Sequence, residues 1–192
     1  MPRIVCSIGV SPAYAQSYDE SVESSLREVS KAKQVRAIGS CGLDARCDEA
    51  QVRTFESQIA LAKELGLALI VEADGMGSRA LEILEHAGLP KRGVMLRAKG
   101  VPLDQLSAWA DAGCFISLGA EVASDPIAYC ACARALPVER LLVESGAPAS
   151  GIPALSGTSP RCDQVVFVED VLQGIFSPNQ LVANWCELFG SQ

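Results

Sequence analysis

The feature that most constrains this chain is an alternation. Six short runs rich in Val, Ile and Leu are separated by segments with helical patterning. The runs are Ile4 to Val10, Val35 to Ser40, Leu67 to Ala73, Gly93 to Arg97, Cys114 to Leu118 and Leu141 to Glu144. They show little strict apolar–polar alternation, as strands covered on both faces do. A chain of strand–helix units of this kind builds a parallel sheet, either a barrel or an open doubly wound sheet. Periodicity does not choose between the two.

The segments between the runs carry start and stop signals. Ser17-Tyr18-Asp19-Glu20 predicts a capping box in which Ser17 accepts from the Glu20 amide, and Asp48-Glu49-Ala50-Gln51 repeats the arrangement. The helix after Asp48 places Phe55, Ile59, Ala62 and Leu65 on one face and stops at Gly66. Asp125-Pro126 and Ser177-Pro178 each set a capping side chain before a proline at the first helical position. Ala80, Leu81 and Leu84 give the intervening helix its apolar stripe, and Leu181, Val182, Trp185, Leu188 and Phe189 form the packing face of a last helix. Ala147 to Pro160, rich in Gly, Ser and Pro, is expected as a long loop at the C-terminal rim of the sheet.

At 192 residues the chain fits a single domain over 1–192 with a sizeable core. No run reaches the ~18–20 apolar residues of a membrane span, and the opening Met-Pro-Arg-Ile-Val-Cys lacks the features of a signal peptide. A cytoplasmic protein without membrane contact is expected. The net charge of −7, with no basic block, argues against nucleic acid as a partner held through its phosphates. Eight cysteines include no C-x₂-C pair, and the single histidine is His86, so buried, inert thiols are expected rather than a zinc site. The first strand–helix turn lacks G-x-G-x-x-G, and no G-x-x-x-x-G-K-[ST] occurs.

In parallel α/β proteins the chemistry sits at the C-terminal ends of the strands. Ala37-Ile38-Gly39-Ser40-Cys41-Gly42-Leu43-Asp44 is such an end, and Ser40 stands where a reactive side chain is expected, with no histidine base nearby. Cys41 has no adjacent cation to hold it as thiolate.

This stretch resembles the TatD-type deoxyribonucleases, metal-dependent hydrolases on a TIM barrel. Ile8-Gly9-Val10-Ser11-Pro12, Leu69-Ile70-Val71-Glu72, Gly93-Val94-Met95-Leu96, Leu141 to Pro148 and Asn184 to Gly190 carry the likeness onward in the family's order, over nearly the whole chain. The resemblance implies a TIM-barrel-like α/β fold, incomplete here, with about six parallel βα units instead of eight. The family's opening strand with His-x-His, and the strand after it, have no counterpart.

The resemblance also implies metal ligands, and the aligned positions depart from them. Ser11 and Ala13 stand for two histidines, Ser40 for the metal-bridging glutamate, Glu72 and Leu96 for two further histidines, and Gly146 for a late aspartate. No metal ligand is therefore assigned and no cofactor is expected. A divalent ion (Mg, Mn or Zn) enters only under a second reading, a metal-dependent phosphodiesterase or deoxyribonuclease with a site rebuilt from Glu72, Asp74 and Glu144. The catalytic candidates are Ser40, Glu72, Asp74 and Glu144. Arg97 and Lys99 are anion-binding candidates, or else loop charges paired with Glu121 or Asp74. The leading expectation is a degenerate TatD-like hydrolase retained as a binding or structural protein. With two strands fewer, either the end strands pair into a narrower barrel, or a second copy or a partner chain completes it; a homo-oligomer or a partner chain is favoured. A third expectation is a subunit that needs a separate chain carrying the His-x-His strand.

Overall fold

The computed structural model describes residues 4–146 and 165–190. Six parallel strands form one sheet in sequence order: β1 (Cys6–Ile8), β2 (Val35–Leu43), β3 (Ala68–Ala73), β4 (Val94–Arg97), β5 (Phe115–Leu118) and β6 (Leu141–Val143). Among the described residues β1 pairs only with β2 and β6 only with β5, so the sheet is unclosed. Among the described residues the end strands therefore do not pair into a narrower barrel. The expected loop from Ala147 to Pro160, and with it Pro148, lies outside the described residues.

The helices follow the sequence signals closely, with one change of cap. Helix α1 (Glu20–Val29) starts from Asp19, whose carboxylate accepts from the Val22 amide; the Ser17 hydroxyl instead donates to the Tyr14 carbonyl within a 3₁₀ turn over Pro12–Ser17. An acidic side chain caps and also favours the positive helix start, so Asp19 displaces Ser17. Helix α2 (Glu49–Leu65) runs from Asp48, which accepts from Gln51 N, to Gly66 in the left-handed conformation. Helices α3 (Gly77–Ala87), α4 (Leu106–Asp111), α5 (Pro126–Ala135), α6 (Val165–Val171) and α7 (Pro178–Phe189) complete the order. Asp125 and Ser177 cap α5 and α7 as expected.

Strand β2 is longer than its apolar run predicts, because it carries an irregularity. Its register with β3 goes from Ile38↔Leu69 to Cys41↔Val71, so Gly39 and Ser40 together face Ile70. Glycine is needed here: a Cβ at Gly39 would lie 2.4 Å from the Ile70 carbonyl oxygen, and one at Gly42 2.0 Å from that of Glu72.

The two faces of the sheet are packed differently. Ile38, Leu43, Leu69, Val71, Val94, Leu96, Ile116, Leu118 and Leu141 join Phe55, Ile59, Leu84, Leu106 and Trp109 in the large helix-covered core. The alternate residues Ala37, Ala68, Met95, Phe115 and Leu142 form a second cluster, covered by Leu188 and Phe189 of α7. Val182, expected in the α7 packing face, is exposed; Asn184 is buried instead, donating to the carbonyls of Val138 and Leu141. The buried-thiol expectation holds for Cys41 and Cys114, whereas Cys6 is exposed and Cys47, Cys130, Cys132 and Cys186 are half-buried.

Candidate functional site

Strand alternation sends every second residue to the inner face. Following it upward from the second cluster, Ala68 and Ile70 lead to Glu72, Met95 to Arg97, Phe115 to Ser117, and Leu142 to Glu144. The C-terminal mouth of the inner face therefore holds two carboxylates and a guanidinium, carried by β3, the end of β4 and the residue after β6. Arg97 Nε donates to Glu144 Oε1 at 3.0 Å and to Oε2 at 3.1 Å, and Arg97 Nη1 donates to Glu72 Oε1. The three side chains are mostly withdrawn from water, at 18 % exposure for Arg97, 32 % for Glu72 and 20 % for Glu144. One guanidinium thus ties three strands together by charge-assisted bonds.

A third carboxylate stands beside them. Glu121 accepts from the Gly119 amide at 2.7 Å. A Cβ at Gly119 would lie 2.8 Å from Glu121 Oε2 and 3.3 Å from Glu144 Oε1, so both acids lean over the same patch of backbone. Burial pushes the Glu144 carboxyl above the usual carboxylate range, with Arg97 only partly opposing it and Glu121 and Glu72 adding to it. Burial raises Glu121 likewise, against the amide it accepts from. Burial works against the Arg97 charge, but Glu144 and Glu72 outweigh it and hold the guanidinium firmly protonated.

The sequence candidates distribute as follows. Glu72, Arg97 and Glu144 converge. Asp74 and Lys99 are exposed beyond the strand ends and make no ion pair among the described residues. Arg97 pairs with Glu72 and Glu144, not with Glu121 or Asp74 as expected. Ser40 is half-buried in the β2 irregularity, and its hydroxyl has no hydrogen bond among the described residues. Leu96, aligned with a metal-binding histidine, is fully buried on the opposite, helix-covered face. Alternation places Arg97, one residue on, at the mouth in its stead. Ser11 is half-buried, Ala13 is exposed, and Gly146 is buried in the left-handed region.

Asp44 is engaged outside that ion-pair group. It pairs with Arg46, and hydrogen bonds from that guanidinium hold its carboxyl well below the ordinary range. Cys41 is fully buried, and burial pushes its thiol far up, so it is not a nucleophile. His86 is exposed in the last turn of α3.

Two residues of the mouth carry no simple sequence signal. Ser117 is 1 % exposed, sits in register with Arg97, and its hydroxyl has no partner among the described residues. Glu121 lies in a 3₁₀ turn after β5 and reaches back over Gly119. Alternation within β5 from Phe115 points to Ser117, but it does not reach Glu121 in the turn beyond the strand.

The fit of a divalent ion follows from these positions. Such an ion needs three or four His, Cys, Asp or Glu ligands converging on one point. Among the described residues no group of three or more is so arranged. The guanidinium lies between Glu72 and Glu144, where a cation shared by those carboxylates would have to lie. The residues present do not fit the ion.

Comparison with known proteins adds a second line. The family of TatD related DNases matches over residues 1–162. A protein of Pantoea ananatis (strain LMG 20103) named 3'-5' ssDNA/RNA exonuclease TatD is 30% identical over 186 residues, covering 92% of this chain and 68% of the relative. Its namesake in Pantoea vagans (strain C9-1) is 29% identical over 147 residues, 73% of this chain and 56% of the relative. Among solved structures, a TatD homologue from Escherichia coli K12 superposes with a TM-score of 0.87 at 22% identity, covering 98% of this chain and 77% of its own. A TatD-family hydrolase from Entamoeba histolytica gives 0.80 at 16% identity, with 96% and 74% covered.

Proposed function

The chain belongs to the TatD-related DNase family, and on that premise we propose that it is a degenerate TatD-like hydrolase, serving as a binding or structural protein without metal-dependent hydrolysis. The observation that carries this reading is Arg97 held between Glu72 and Glu144 at the mouth. Hydrolysis with divalent ions depends on a bound water whose pKa falls to about 7 and on positive charge placed on the substrate's developing anion. A guanidinium already satisfied by two carboxylates supplies neither. It polarises no water, and its own charge is spent on Glu72 and Glu144.

Other nucleophiles are poorly supported. The Ser40 hydroxyl has no hydrogen bond to a base among the described residues, and the Cys41 thiol is fully buried. The unclosed β1 and β6 edges support association with a second copy or a partner chain, which would cover their unpaired backbone groups. Among the described residues no helix is long and apolar enough to cross a membrane, and a cytoplasmic location is part of the proposal.

A second reading has one observation in its favour, the naming of the relatives as 3'-5' ssDNA/RNA exonucleases. Under it, Glu72, Asp74 and Glu144 would be rebuilt around a divalent ion. Elemental analysis of the purified protein, with Mg²⁺- and Mn²⁺-dependent turnover of single-stranded DNA, separates the two. We expect no stoichiometric metal and no turnover. Bound metal at one or more equivalents, with turnover abolished by Glu72→Ala, would overturn the proposal.

A further inference from the structure

Helix α5 has the composition of an interior helix and stands largely in solvent. Among its ten residues, Pro126–Ala135, the only charged one is Arg134. A helix that is apolar on all sides is normally buried on all sides. Here only Ala133 is buried. Tyr129, Cys130 and Cys132 define the inward side: they pack against the helix-covered core, and the two thiols donate to the carbonyls of Val171 and Leu103. The opposite side carries Ile127, Ala131 and Arg134, spaced i, i+4 and i+7, with Ala135 beside them. All four are exposed, Ile127 at 84 %. A single exposed apolar residue is ordinary, but a nearly chargeless helix face left open to water marks a contact surface.

We infer that the outer face of α5 is a docking surface for α5 of a second copy of this chain, packed antiparallel about a two-fold axis. This rests on the association proposed above and gives it a helix surface in place of a strand edge. The charges of the helix select the occupant. Its start is acidic, at Asp125, and its end is basic, at Arg134. Asp125 accepts from the Ala128 amide, and neither it nor Arg134 makes an ion pair among the described residues. Antiparallel copies bring each Arg134 to the Asp125 end of the other, twice in one interface, and set opposite ends of the two helix dipoles side by side. A parallel mate would instead oppose like charges at both ends. The small Ala131 and Ala135 side chains let the two backbones approach closely, and Ile127 supplies the apolar anchor. A helix of ten residues is about 15 Å long, so one such pair falls at the small end of specific interfaces. The dimer is therefore expected to be weak and concentration-dependent, with a Kd of about 10–100 μM.

The test is sedimentation velocity over a concentration range that spans this Kd, on the unaltered chain, Ile127→Glu, Arg134→Glu and Val29→Glu. The unaltered chain is expected to pass from monomer to dimer as concentration rises. Ile127→Glu, which puts a charge at the anchor, is expected to weaken the dimer about tenfold or more. Arg134→Glu, which sets like charges against each other at both ends, is expected to weaken it about threefold to tenfold. Val29→Glu alters an apolar residue that is 51 % exposed on α1, and is expected to dimerise like the unaltered chain. Ile127 lies outside the core, so the melting temperature of dilute Ile127→Glu is expected to match that of the unaltered chain. A dimer undiminished in Ile127→Glu, or weakened as much by Val29→Glu, would overturn the inference and leave association through the strand edges standing. An unaltered chain that stays monomeric throughout would remove both the inference and the association it rests on.

Discussion

The inner face of the sheet is two regions built from the same strands. At its N-terminal end, Ala37, Ala68, Met95, Phe115 and Leu142 pack beneath Leu188 and Phe189 of α7. At its C-terminal end, Glu72, Arg97 and Glu144 bond across an opening. Met95 and Arg97 are two residues apart, about 7 Å along a strand. Over that step, burial of apolar surface gives way to burial of charge. The lower region is stabilised by contact with a helix, whereas the upper one is held by a single cationic side chain shared among three strands. Under the proposed function, the chain keeps the frame of its family while the mouth serves as a structural cross-link.

The largest difference between the regions should appear when each loses its central side chain. Phe115 is 2 % exposed and stacks under the Arg140 guanidinium at 4.8 Å. Phe115→Ala is expected to cost about 3–5 kcal/mol, measured by urea denaturation. Arg97→Met leaves two carboxylates without a counter-charge. Its partners keep some contact with water, so the cost is expected at about 1–3 kcal/mol, below the range for a fully buried pair. A cost for Arg97→Met equal to or above that of Phe115→Ala would invert the comparison.

Acidity sharpens it further. Glu121 and Glu144 have folded-state pKa values raised above their ordinary 4.5. Their contribution to stability is fully present below pH 4.5 and is lost as pH rises through the raised values. Glu121→Gln, which still accepts from the Gly119 amide, is expected to stabilise the protein at pH 7 by roughly 1 kcal/mol. It should also flatten the fall in stability between pH 4.5 and neutrality, read from melting temperature against pH. An unchanged slope would mean that Glu121 is not one of the strained acids.

The smallest effect is expected on the rim. The Asp44 side chain is 30 % exposed and its partner Arg46 52 %. Asp44→Asn is expected to cost about 0.2–1 kcal/mol at neutral pH. The sign of the pH dependence is opposite here. With its folded pKa depressed, Asp44 contributes above its ordinary 3.8, and that contribution is lost as pH falls through the lower folded value. The variant should therefore converge on the unaltered protein only in strong acid.

Much of this frame is legible in the sequence. Six apolar runs become six parallel strands, and Asp48, Asp125 and Ser177 cap the helices they announce. The rest depends on contacts that a run of letters does not carry. The β2 irregularity at Gly39 and Ser40 arises from close approach to the Ile70 and Glu72 carbonyls, a contact between segments distant in the chain. Asp19 displaced Ser17 because two capping side chains stood two residues apart. Glu72, Arg97 and Glu144 were each visible at a strand end, yet their union was not, since 25 and 47 residues separate Arg97 from its partners. Family likeness alone aligns Leu96 with a mouth residue, while alternation from Met95 puts it on the helix side.

The central claim is that a guanidinium holds the cation position at this mouth, and crystals of the unaltered protein soaked in MnCl₂ test it most directly. Anomalous difference density at the manganese edge is expected to show no peak between Glu72 and Glu144, with the Arg97 guanidinium in that place. A peak there, bonded to oxygens of both glutamates and with Arg97 swung aside, would contradict the account.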